Sequence, residues 1–136
     1  MPSARPPVAP PPRLMLEGVD ESVKAARDHA REFVRYHLPD IGPCHTDDVV
    51  LVVSELVTNG IRYGTEPGDF VLLALDADER RTRVEVHDAA RRRPRRRPES
   101  AERERGRGLF IVDALATWGI AERPMGKYVW AEVRTE

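Results

Sequence analysis

The chain has 136 residues, 40% apolar and 33% charged, enough length and apolar content for one globular domain with a single two-layer core. Its net charge of −1 argues against a wholly basic nucleic-acid binder and hides an asymmetry: residues 91–107 hold nine Arg against three Glu, while the remainder holds 13 basic and 20 acidic residues. The single cysteine, Cys44, excludes an intramolecular disulfide, and no stretch approaches the ~20 apolar residues of a membrane span, so a cytoplasmic protein is expected.

Residues 1–12 contain six prolines and no apolar core of a secretory signal, so a disordered, polyproline-like tail is expected there and a folded domain over 13–136. Leu14, Met15 and Leu16 form a short strand candidate. Asp20 or Ser22 can cap a helix in which Val23, Ala26, Ala30, Phe33 and Val34 recur at helical spacing. Pro39 disfavours helix in the residue before it, so this helix should end near Leu38. A second helix is expected from Thr46 to about Gly64, with Asp47 and Asp48 in its first turn, where acids suit the helix dipole. Its apolar sector is Val49, Val50, Val53, Leu56, Val57 and Ile61.

Two strands follow over 70–76 and 82–88, joined by a hairpin at Asp78-Glu79-Arg80. The Arg/Pro/Glu-rich run 89–105 reads as a long loop. A helix at about 107–117 and strands over 118–121 and 128–134 close the chain. Hairpin-linked strands in the order β-α-α-β-β-loop-α-β-β imply an α+β fold: a mixed, mainly antiparallel sheet with the helices on one face.

Sparse polar signals punctuate these elements. Glu55 and Asn59 lie four apart and so share a face of the second helix. An Asn oxygen suits a Mg²⁺ ion liganded mostly by phosphates and water, and a glutamate one turn away could deprotonate a nucleophile near a terminal phosphate. Taken alone, the pair fits a solvated helix face equally well. Asp88 ends a strand, where a carboxylate can accept from an exocyclic amine of a base or simply cap a turn. Gly106-Arg107-Gly108-Leu109 is a glycine turn into an apolar helix, a setting in which backbone N–H groups bind phosphate. It is neither a dinucleotide fingerprint nor a P-loop, and G-x-G alone also marks ordinary turns. The Arg91–Arg97 run could be a solvated loop, a lid over triphosphate, or a docking strip for an acidic partner. No aromatic residue is interleaved in it, against a nucleic-acid surface. The four histidines and the cysteine lack metal-ligand spacing.

As an ordered set these residues resemble the GHKL ATPase superfamily. Ser54-Glu55-Leu56-Val57-Thr58-Asn59 is similar to its N-box, Asp88 to its G1-box acid, and Gly106-Arg107-Gly108-Leu109 to its G2-box. More narrowly, with Trp118-Gly119, Gly126-Lys127 and the ending Val129-Trp130-Ala131-Glu132, the chain resembles the anti-sigma factor serine-protein kinases over about residues 13–134. The resemblance implies a Bergerat-type sandwich that binds ATP and Mg²⁺. Glu55 would be the general base and Asn59 the Mg²⁺ ligand. Asp88 would contact adenine, with Gly106, Arg107, Gly108 and Leu109 in the phosphate cradle. It further implies that Arg27 engages a partner protein, an anti-anti-sigma protein of the STAS type or a sigma factor, and that relatives often dimerise through the first strand and helix. Either a serine/threonine kinase or a non-catalytic module that sequesters its partner fits this set. Two positions depart from the superfamily pattern: Ala89-Ala90-Arg91 lacks a glycine after the acid, and Tyr128 stands where a small hydroxyl residue is common. Both departures bear on nucleotide affinity rather than on fold.

Overall fold

A computed structural model describes residues 8–88, 109–124 and 126–136. Strand β1 (Arg13–Glu17) leads into helices α1 (Ser22–His37) and α2 (Pro43–Gly64), followed by strands β2 (Phe70–Ala77) and β3 (Arg81–Asp88). Helix α3 spans 109–115 among the described residues. Strands β4 (Thr117–Arg123) and β5 (Gly126–Arg134) end the fold. The sheet order is β1-β2-β3-β5-β4, and all four pairings are antiparallel. The expected α+β sandwich, with a sheet on one side and three helices on the other, is therefore present.

Strand alternation builds the core. Val71, Leu73 and Leu75 of β2, Val84 and Val86 of β3, and Val129, Ala131 and Val133 of β5 are buried at every second position. Above them, α1 contributes Ala26, His29, Ala30, Phe33 and Val34, an i, i+3, i+4, i+7, i+8 stripe. Helix α2 is buried over a wider sector, from His45 to Gly64, because it packs against both α1 and the sheet. Each fully buried Val or Leu contributes about 1.5–3 kcal/mol by leaving water. No helix among the described residues is long and apolar enough to cross a membrane.

Several boundaries differ from the sequence expectation: the last helix ends at 115, not 117, because Thr117 already belongs to β4, and the larger differences have local reasons. Helix α2 begins at Pro43 rather than Thr46. Proline suits the first helical position, where its missing N–H costs nothing, and Gly42 supplies the entry at φ 84°, a conformation easy only for glycine. Asp47 and Asp48 thus fall outside the first turn, and the Thr46 hydroxyl instead donates to the Gly42 carbonyl at 3.2 Å. The last residues of the expected tail are seated: Pro10 is buried, and the Pro12 carbonyl accepts from the Leu75 amide at 2.8 Å, extending the β1–β2 ladder by one bond. Residues 1–7 lie outside the described residues. Strands β4 and β5 are also longer than their apolar patterns, since backbone pairing continues through Glu122↔Lys127 and Arg123↔Gly126. At the β2–β3 hairpin the Asp78 carboxylate accepts from the backbone N–H groups of Arg80 and Arg81, which fixes the turn as expected.

Candidate functional site

Helix α2 crosses the middle of the sheet, and its last turns are seated by a glycine. A Cβ added at Gly60 would lie 3.1 Å from one Val86 methyl and 3.6 Å from a Val71 methyl, so the helix rests almost directly on the sheet there. Val86 is two residues before the end of β3, and the Cα of Asp88 stands opposite Val71. The Asn59–Gly60 turn therefore lies over the strand end that carries Asp88. Strand β5 brings its own start to the same end, because Tyr128 pairs with His87 and Gly126 and Lys127 precede it. Residues that are far apart in sequence thus converge at one edge of the sandwich.

Asn59 is 6% exposed, and its side-chain Nδ2 has no hydrogen-bond partner among the described residues. The solvated-face reading of this residue does not hold. A buried amide donor without a partner costs about 1–3 kcal/mol, an outlay expected where a ligand later satisfies it. Glu55, one turn earlier, is half-buried and takes part in none of the hydrogen bonds or ion pairs found among the described residues. Leu109 sends its side chain into the core with Val112, so only its backbone could meet a phosphate. Gly106, Arg107, Gly108 and the Arg91–Arg97 run lie outside the described residues. Arg27 is exposed on α1, a different helix from the one bearing Glu55 and Asn59.

The donor set fits Mg²⁺-nucleotide. Among the described residues no group of three or more His, Cys, Asp or Glu could hold a metal ion by itself. A cation held mainly by phosphates and water needs only one neutral protein oxygen, and the Asn59 amide offers one. Its unpaired Nδ2–H would then have an acceptor in the same ligand.

Two features of the site were not visible in the sequence. The seating glycine, Gly60, looks like any mid-helix glycine until the strand beneath it is placed. Tyr128, which departs from the superfamily pattern, does not crowd the helix face: it pairs with His87 and stacks on that ring at 4.5 Å and 15°. Both rings lie on the sheet face opposite the helices, between the positions of buried Val86 and Val129 and their neighbours.

The five-stranded sheet with its helices on one face is a two-layer α+β sandwich. The model of the histidine kinase-like ATPase domain matches residues 17–131, most of the chain, and the protein belongs to that family. No curated protein matches the chain. The family implies ATP as the ligand, and the fold agrees with the GHKL-type sandwich expected from the motif order.

Proposed function

We propose that the protein is a cytoplasmic regulator that binds Mg²⁺-ATP and phosphorylates a serine or threonine of an anti-anti-sigma partner of the STAS type, acting in a sigma-factor circuit. The observation that carries the nucleotide reading is the buried, unpaired Asn59 amide above the Asp88 end of β3. Bound Mg²⁺-ATP supplies a transferable terminal phosphoryl group. In this reading Asn59 holds the cation, Asp88 accepts from the adenine amine, and Arg27 helps engage the partner. Glu55 accepts the proton of the attacking hydroxyl as its oxygen gains the phosphoryl group and ADP departs.

The test is phosphate incorporation into a cognate partner by wild type and Glu55→Gln at equal ATP occupancy. The substitution keeps size and hydrogen-bonding capacity but removes the proton acceptor, so transfer should fall ~10²–10⁴-fold while ATP binding survives. Equal rates would eliminate Glu55 as the base. The absence of a glycine in Ala89-Ala90-Arg91 favours a second reading, a module that sequesters a sigma factor without chemistry. Wild type that binds ATP yet transfers nothing to any partner would select it.

A further inference from the structure

The sheet face turned away from the helices carries an ordered chain of polar contacts along β3. His87 Nε2 lies 2.8 Å from Glu85 Oε1, and Arg83 Nε donates to Glu85 Oε2 at 2.8 Å. Arg83 Nη1 donates to Glu132 Oε2 of β5 at 3.0 Å, and Arg81 reaches both Glu132 and Asp76 of β2. Rings and planes cover this chain: the Arg83 guanidinium lies 4.8 Å from the Trp130 ring centre, and His87 stacks on Tyr128. The His87 side chain is only 13% exposed, and a carboxylate can only accept, so His87 Nε2 carries the proton that Glu85 receives. Burial pushes the Glu85 carboxyl up, but the hydrogen bonds from Arg83 and His87 outweigh it and hold the group below its ordinary value.

Surface pairs on a solvated strand are usually loose and contribute little. Here the contacts are tied at both ends, by the His87–Tyr128 stack and by Arg81 on Asp76 and Glu132, and the first of these ends is the residue before Asp88. We infer that His87 and Tyr128 are positioning residues for base recognition: their stack, anchored through Glu85, Arg83 and Glu132, holds the last residue of β3 in place from the opposite face of the sheet. This rests on the nucleotide reading above, in which Asp88 accepts from the adenine amine. The geometry agrees with a local role: among the described residues the β3–β5 pairing ends at His87↔Tyr128, one residue before Asp88, whose backbone pairs with Val71 of β2 on its other side.

Inosine triphosphate has a carbonyl in place of the exocyclic amine and an N1–H in place of an acceptor, with the same sugar and phosphates, so the ratio of ATP to ITP affinity reads the base-edge contact assigned to Asp88. Calorimetry on the full chain should show wild type binding ATP about tenfold or more tighter than ITP, the value of one hydrogen bond to a charged group. His87→Ala and Tyr128→Ala should bring the ratio toward one by weakening ATP alone, and Tyr128→Phe, which keeps the ring, should restore it. If His87→Ala does not fold, His87→Phe, which keeps a ring against Tyr128 but loses the Glu85 bond, should give an intermediate ratio. Variants that keep the wild-type ratio, or that weaken ATP and ITP equally, would overturn the positioning role. Wild type that binds ATP and ITP alike would overturn it while leaving nucleotide binding intact, whereas wild type that binds neither would remove both.

Discussion

Asn59 shows how one side chain can be unfavourable to the folded chain and useful to its ligand. Its amide is buried, and its Nδ2–H has no partner among the described residues. Asn59→Ala removes that unsatisfied donor and places a better helix former in α2, so the melting temperature should stay level or rise. Mg²⁺-ATP binding should weaken about 10–100-fold, the range for losing a contact to a charged ligand. Calorimetry paired with thermal melts checks both halves; a variant that unfolds while wild type does not would make the side chain structural. Sequence spacing placed Glu55 and Asn59 on one face but could not say which way that face turned. Polarity favours solvent at an Asn, and only the seat of Gly60 on Val86 shows that α2 sinks into the sheet there. Tyr128 teaches the converse, because strand parity, readable only once the register is known, removes it from the helix face.

The join between α2 and the sheet rests on a polar contact at the opposite end of the helix. His45 Nε2 lies 2.9 Å from Thr82 Oγ1 of β3, and Nδ1 lies 3.2 Å from the Arg134 carbonyl at the end of β5. A carbonyl can only accept, so Nδ1 carries the proton and Nε2 accepts from the Thr82 hydroxyl. Burial pushes the His45 pKa below its ordinary 6.5, against the Arg134 carbonyl and Asp48, which raise it. His29, also buried in the α1 stripe, shifts in the same direction from the same leading cause. In the unfolded chain both rings bind protons more readily, so stability rises with pH through this range and is lost as pH falls from about 6.5 toward the folded values. Urea melts from about pH 7.5 to about pH 5.5 should show that loss, and His45→Gln should flatten part of the slope. A slope that the substitution leaves unchanged would assign the loss to other groups. Elements as such were legible, because apolar periods of 3.6 and 2 are strong in α1, β2 and β3. The start of α2 was not, since Thr46-Asp47-Asp48 imitates a cap while the true entry is the Gly42-Pro43 pair. The polar ties, His45 to Thr82 and Arg134, join residues with no sequence relation at all.

At the scale of the whole molecule, the last strand in the sequence lies inside the sheet. Strand β5 pairs with β3 on one side and β4 on the other, so the central sheet is complete only when the C-terminal residues are in place. The strand ends that bear the proposed ligand contacts are assembled by the same step, which ties ligand binding to global folding. A ligand that binds only the folded chain stabilises it by mass action, by about 2.7 kcal/mol at one hundred times its dissociation constant. For a domain of this size that is a rise of roughly 10 °C in melting temperature. Millimolar ATP with Mg²⁺ should produce such a shift in wild type, ATP with a chelator should produce a smaller one, and Asn59→Ala should erase the difference between the two. The comparison separates the cation's contribution from that of the base and phosphates, because only the first passes through the Asn59 oxygen. An equal shift with and without Mg²⁺ would leave ATP bound and Asn59 without a metal role. Millimolar nucleotide that gives neither shift nor heat would show that the sandwich has kept its architecture and lost its ligand, leaving the buried amide with no partner to explain it.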